Sequence, residues 1–140
     1  MVGLATVVAT LFAPVGATAA HADTASAAPS VRAELPPGVI RLNDGERCPS
    51  GTLCLYRDYG HRGPAYGIGA GYPVNLYDLP MPGGAGSASA GNTVSSWVNN
   101  TESFAILVDI DTDAVRPLLP GQRLEEPPFL NDTVDEVRWA

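Results

Sequence analysis

Two cysteines, two histidines and fifteen carboxylates are the side chains of this chain that could do chemistry. Cys48 and Cys54 flank Pro49-Ser50-Gly51-Thr52-Leu53, and the Pro, Ser and Gly supply a turn that brings the ends of so short a loop together. A disulfide between them is therefore geometrically open. If that bridge forms and His21 leaves with the export segment described below, His61 is the one histidine left and no thiol is free. Neither a zinc cluster nor a Cys-His pair can then be assembled, and the expectation is a protein that is not an enzyme. A Ser-His-Asp triad on His61 stays open on composition alone. The run Asp109-Ile110-Asp111-Thr112-Asp113 begins like an EF-hand calcium loop, but Ala114 stands at the sixth position, where glycine makes the turn, and Pro120 where a bidentate Glu closes the site. Glu125-Glu126 beside Pro127-Pro128 reads as a solvated turn.

The start of the chain sets the compartment in which these groups would work. Val2 to Ala20 is apolar or small throughout, with Leu4, Val7, Val8, Leu11 and Phe12 at its centre, and it ends in Ala20-His21-Ala22, a small-x-small cleavage pattern. Residues 1–22 read as a secretory signal peptide. The apolar core is broken by Pro14 and Gly16, well short of the roughly 20 residues that span a bilayer. Export implies an oxidising, extracellular location, where a close cysteine pair is a bridge far more often than a redox or metal site. Residues 23–47 are rich in Ala, Ser and Pro without an apolar period, and read as a flexible leader. Residues 48–140 are then enough for one small core.

Charge narrows the partners. The net charge is -7, every cation among Lys and Arg is an Arg, and from Thr101 onward nine carboxylates face three arginines. Such a surface repels phosphate backbones, so neither nucleic acid nor, after signal cleavage, an anionic membrane is an expected partner. Cations and basic protein surfaces remain, and a monomer is expected.

The elements that would position these residues are strands. Thr52–Tyr56, Pro64–Ile68 and Pro73–Leu76 read as short strands separated by Gly- and Asp-rich turns, and Pro82–Gly91 as a mobile loop of side chains too small to bury anything. Thr93–Val98 alternates Val94, Ser96 and Val98 against Thr93, Ser95 and Trp97. Phe104, Ile106, Val108 and Ile110 share one face of a strand, expected to be the core face. Val115–Leu118, Gln122–Leu124 and Thr133–Trp139 follow. The scheme repeats: Asn92-Thr93-Val94-Ser95-Ser96 lies forty residues before Asp132-Thr133-Val134-Asp135-Glu136. Eight short strands with no helical period predict an all-β sandwich of two Greek keys, about residues 48–100 and 101–140.

The run Cys48-Pro49-Ser50-Gly51-x-x-Cys54-Leu55-Tyr56, then Tyr59-Gly60-His61-Arg62-Gly63, and later Asn92-x-x-Ser95-Ser96-x-Val98-Asn99-Asn100, resembles the secreted actinobacterial peptidase inhibitor family I36, which shares the βγ-crystallin fold. The hallmark of that fold is an aromatic, four residues, a second aromatic, one residue and a Gly. Tyr56 and Gly63 fit the spacing, and His61 stands at the second aromatic. The resemblance implies that Gly63 takes a positive φ and that Ser95 caps the hairpin. It also implies inhibition of an extracellular protease, thermolysin-type metalloproteases first, by a stiff loop that mimics substrate. The candidate inhibitory stretches are His61, Arg62, Pro64 and Tyr66 in the first hairpin and Asp111, Thr112, Asp113, Ala114 and Val115 in the second half. No cofactor is required. The alternative is a calcium-binding or cell-wall-associated module. Calcium-binding βγ-crystallins use Asn/Asp-Asn/Asp-x-x-Ser/Thr-Ser, and here Asn92, Ser95, Asn131, Asp132 and Asp135 stand at positions of two altered copies.

Overall fold

A computed structural model describes residues 34–83 and 88–140. The expected signal peptide and the first part of the leader lie outside the described residues. Nine strands are present among them: β1 Val39–Leu42, β2 Thr52–Asp58, β3 Arg62–Gly69, β4 Val74–Asn75, β5 Ser96–Asn100, β6 Ala105–Asp109, β7 Ala114–Leu118, β8 Arg123–Glu125 and β9 Glu136–Trp139. They form a five-stranded sheet, β1-β3-β2-β5-β8, and a four-stranded sheet, β4-β9-β6-β7, antiparallel throughout.

The repeat seen in the sequence organises both sheets. In each half the first strand pairs with the second and the fourth, while the third crosses to the other half's sheet. Thus β4 pairs with β9 and β8 with β5. Equivalent residues exchange backbone bonds: Asn92 N donates to Val134 O, and Asp132 N to Val94 O. Asn92 and Asp132 both take a positive φ, 54° and 58°, which Asn and Asp tolerate better than other side chains.

The core lies between the sheets. Leu53, Leu55, Tyr66, Ile68 and Trp97 from one sheet meet Val74, Ala105, Leu107, Leu118 and Val137 from the other. A second apolar cluster of Leu42, Cys54, Tyr56, Ala65 and Val98 covers the other side of the larger sheet, with Cys48 against it. The Cys48–Cys54 disulfide is formed, with Cα atoms 5.7 Å apart.

Four expectations are corrected by this arrangement. The leader does not run to residue 47, because Val39–Leu42 pairs with β3, Asp44 accepts a bond from Gly63 N and Glu46 O accepts one from the Tyr56 hydroxyl. Val39 and Leu42 enter different clusters, so four residues carry no readable period. The inward residues of β6 are Ala105 and Leu107, whereas Phe104 and Ile110 are exposed. The Gly/Ala/Ser loop does bury something: Ala90 is in the core, its N–H donating to Leu79 O. Strand β5 starts at Ser96, three residues later than the alternation suggests, with Val94 and Trp97 together in the main core.

Candidate functional site

Two hairpin turns and the loops that return to them carry the residues singled out in the sequence. At the β2–β3 turn Gly63 has φ 78°, and a Cβ there would run into the Asp58 carboxylate, so the hallmark glycine is required. The His61 ring packs edge-on against Tyr56, centroids 5.5 Å apart, filling the second aromatic position. Its Nδ1 lies 3.3 Å from Glu125 Oε1 and its Nε2 3.3 Å from Trp97 O. Both ring nitrogens thus face groups other than a serine hydroxyl, and this geometry does not make the nucleophile–base contact that a triad needs. The hairpin cap is Ser96, one residue beyond the expected Ser95: its hydroxyl accepts from His61 N at 3.1 Å and donates to Asp58 O at 2.7 Å. Ser95 is buried and joins the structure through its backbone, N to Tyr56 O and O from Glu126 N.

Tyr66 is the clearest misplacement among the candidate inhibitory residues. It is fully buried, its hydroxyl bonded to Pro80 O and its ring beneath the Arg41 guanidinium at 4.9 Å. Burial raises its phenol above the ordinary tyrosine value, partly opposed by Arg41. Arg62 is exposed, and His61 and Pro64 are half-buried. At the β6–β7 turn Asp111, Thr112 and Asp113 are exposed, Ala114 is half-buried and Val115 is 62% exposed.

That second turn is the acidic end of the molecule. Carboxylate oxygens of Asp109, Asp111 and Asp135 lie within 4.8 Å of one another, beside a cleft of about 250 Å³ lined by Asn92, Asp109, Asp111, Thr112, Asp132 and Thr133. Asp135 is buried and accepts from Ile110 N and from the Tyr77 hydroxyl, both at 2.8 Å; Asn92 Nδ2 donates to the same hydroxyl. The Asp135 bond, then burial and the charges of Asp135 and Asp111, push the Tyr77 phenol up to about 12. Burial, then the charge of Glu126, raises the Asp132 carboxyl above the usual carboxylate range. Of the residues expected around calcium, the structure brings Asn92 and Asp132 to this cleft and Asp135 to its edge. Ser95 and Asn131 are not among its lining. Asp109 was missed as a member because the EF-hand pattern that contains it fails; the signal was the Asp-x-Asp spacing at a strand end.

Glu125 and Glu126 separate completely. Glu125 is exposed, but the Glu126 side chain is inaccessible to solvent, bound by Arg116 Nη1 at 2.6 Å, Arg116 Nη2 at 3.0 Å and Trp97 Nε1 at 2.8 Å. The solvated-turn reading holds for one residue of the pair.

Comparison with known proteins bears on both halves of this description. The model of peptidase inhibitor family I36 matches residues 43–108, which span the disulfide, the whole first repeat and most of β6. A solved structure described as "Evolution of the eye lens beta-gamma-crystallin domain fold" is 17% identical, covers 73% of this chain and 96% of its own, and superposes with a TM-score of 0.54. At that identity it speaks for the fold alone, and the fold is that of the βγ-crystallins. No curated protein matches the chain.

Proposed function

We propose that this chain is a secreted inhibitor of an extracellular protease and acts by presenting an ordered, exposed loop to the enzyme's cleft. The observation that carries this reading is the match of residues 43–108 to peptidase inhibitor family I36, which supports a protease inhibitor function and a protease as partner. A disulfide close to the domain's start and the apolar segment before Ala22 support a location outside the cell. The turns support loop presentation, because side chains of the body tie down their backbone: Glu125 takes Gly60 N, Ser96 takes His61 N, and Asp135 takes Ile110 N. A loop fixed in this way loses little further entropy on docking.

The test is residual activity of a thermolysin-like metalloprotease, with subtilisin, chymotrypsin and trypsin alongside, titrated with the purified protein. Loss of one enzyme's activity near equimolar protein is expected. Full activity of all four at large excess would end the inhibitor reading.

A second reading rests on the cleft of Asn92, Asp109, Asp111 and Asp132. An all-oxygen donor set with three convergent carboxylates suits a hard cation, and Asp109, Asp111 and Asp135 are the residues that would hold calcium. Bound cation would stabilise the folded state by mass action. On this reading the melting temperature rises with millimolar calcium in the wild type and not in Asp111→Asn; identical melting curves with calcium and with chelator would remove it.

A further inference from the structure

Among the described residues no large apolar side chain is more exposed than Phe129, at 79%. Single exposed hydrophobics are ordinary, but the setting of this one is not. It stands at the tip of the segment from Glu126 to Thr133, whose two ends are both fixed in the body. At the first end the Glu126 carboxylate is locked by Arg116 and Trp97, and its N–H donates to Ser95 O at 2.9 Å. At the second, Asp132 N lies 3.5 Å from Val94 O and Val134 O, just past the loop, accepts from Asn92 N at 3.0 Å, while Thr133 Oγ1 donates to Leu130 O at 2.9 Å within the loop itself. Between them Pro127 and Pro128 fix two successive φ angles, and Leu130 N donates to Pro127 O at 2.8 Å, closing a turn around Phe129. The chain therefore spends a stiff, doubly anchored loop on holding an aromatic ring in water, where burying it would stabilise the fold.

We propose that Phe129 is the anchor of the protease contact, its ring filling the apolar specificity pocket of the target enzyme; this rests on the inhibitor reading above and names the loop and the class of enzyme within it. Anchors of protein interfaces are typically aromatic residues that enter a pocket with their ordering entropy already lost. The turn also accounts for inhibition without rapid cleavage. Proteases take peptide substrates as extended strands, whereas the Leu130 N–H is engaged with Pro127 O, so the loop must open before either peptide bond flanking Phe129 can lie in line with the catalytic groups. Exposed Glu125 and half-buried Asp132 border the loop, so the complementary enzyme has an apolar pocket with a neutral or basic rim. Trypsin, with an acidic pocket, is the wrong partner for this ring.

The same panel decides it, with Phe129→Ala and Phe129→Arg added and melting curves recorded for each. Truncating so exposed a ring leaves the core intact, so the melting temperatures should agree with the wild type. On whichever apolar-pocket enzyme the wild type inhibits, Phe129→Ala should raise the inhibition constant by about 30-fold or more. Phe129→Arg should lose that enzyme and gain trypsin. Equal inhibition by wild type and both variants would overturn the Phe129 assignment while leaving the inhibitor reading intact. No inhibition of any enzyme by the wild type would overturn both.

Discussion

Glu126→Ala should destabilise the protein by about 3 to 5 kcal/mol, the range for breaking a buried ion pair by removing one partner. Three donors converge on this carboxylate from both sheets: Trp97 Nε1 on β5 and the two guanidinium nitrogens of Arg116 on β7. With alanine, the Trp97 N–H is left without an acceptor in the main core, which by itself costs about 1 to 3 kcal/mol. Arg116 loses its bidentate partner as well. Its side chain is 23% exposed, so it can turn partly to water, and the total belongs toward the lower end of the range. Glu126→Gln keeps an oxygen for one donor and should recover part of the loss. Urea denaturation monitored by tryptophan fluorescence measures both; a loss below about 1 kcal/mol for alanine would show that the three bonds add little over their solvated alternatives. The same substitution frees one end of the loop that carries Phe129, so inhibition should weaken even where the fold survives.

Why Glu126 escaped the sequence reading is instructive. A Glu-Glu-Pro-Pro run has the composition of a surface turn, and the burial of one member depends on an arginine ten residues earlier and an indole twenty-nine residues earlier. Nothing local encodes that meeting. What was legible was local or repeated: the Tyr56 to Gly63 spacing of the first hairpin, the disulfide loop, and the forty-residue echo that the structure resolves into two halves exchanging their third strands. Periodicity failed where both phases were apolar. Phe104, Ile106, Val108 and Ile110 outweigh Ala105, Leu107 and Asp109 in hydrophobicity, yet Ala105 and Leu107 join the main core while Phe104 and Ile110 are exposed and Val108 is buried outside that cluster. Tyr66 followed a hairpin turn and read as exposed, but strand β3 runs through Gly69 and alternation carries Tyr66 inward. The acidic cleft was half visible. Asn92 and Asp132 were found through the repeat, while Asp109 joins them only because β6 ends beside the returning loops. Phe129 carried no signal except two preceding prolines, since exposure of a single aromatic is a tertiary outcome.

Trp97→Ala is the other large effect, about 3 to 5 kcal/mol, from loss of the largest side chain that the core encloses completely. Its neighbours in the cluster come from both sheets, so the cavity cannot close by moving one strand, which argues for the upper part of that range. The substitution also removes one of the three donors to Glu126, leaving Arg116 as the carboxylate's side-chain partner. Trp97 and Glu126 therefore share an interaction, and their effects should not add. The double variant Trp97→Ala with Glu126→Ala, in which each single change removes the indole–carboxylate bond, should fall short of the sum of the two single losses by about 1 kcal/mol or more. A strictly additive cycle would mean that the indole contributes by volume alone and that the Trp97–Glu126 bond brings no net stability. A less-than-additive one identifies the indole–carboxylate–guanidinium chain as the tie between the two sheets, and through Glu126 as the foundation on which the Phe129 loop is held.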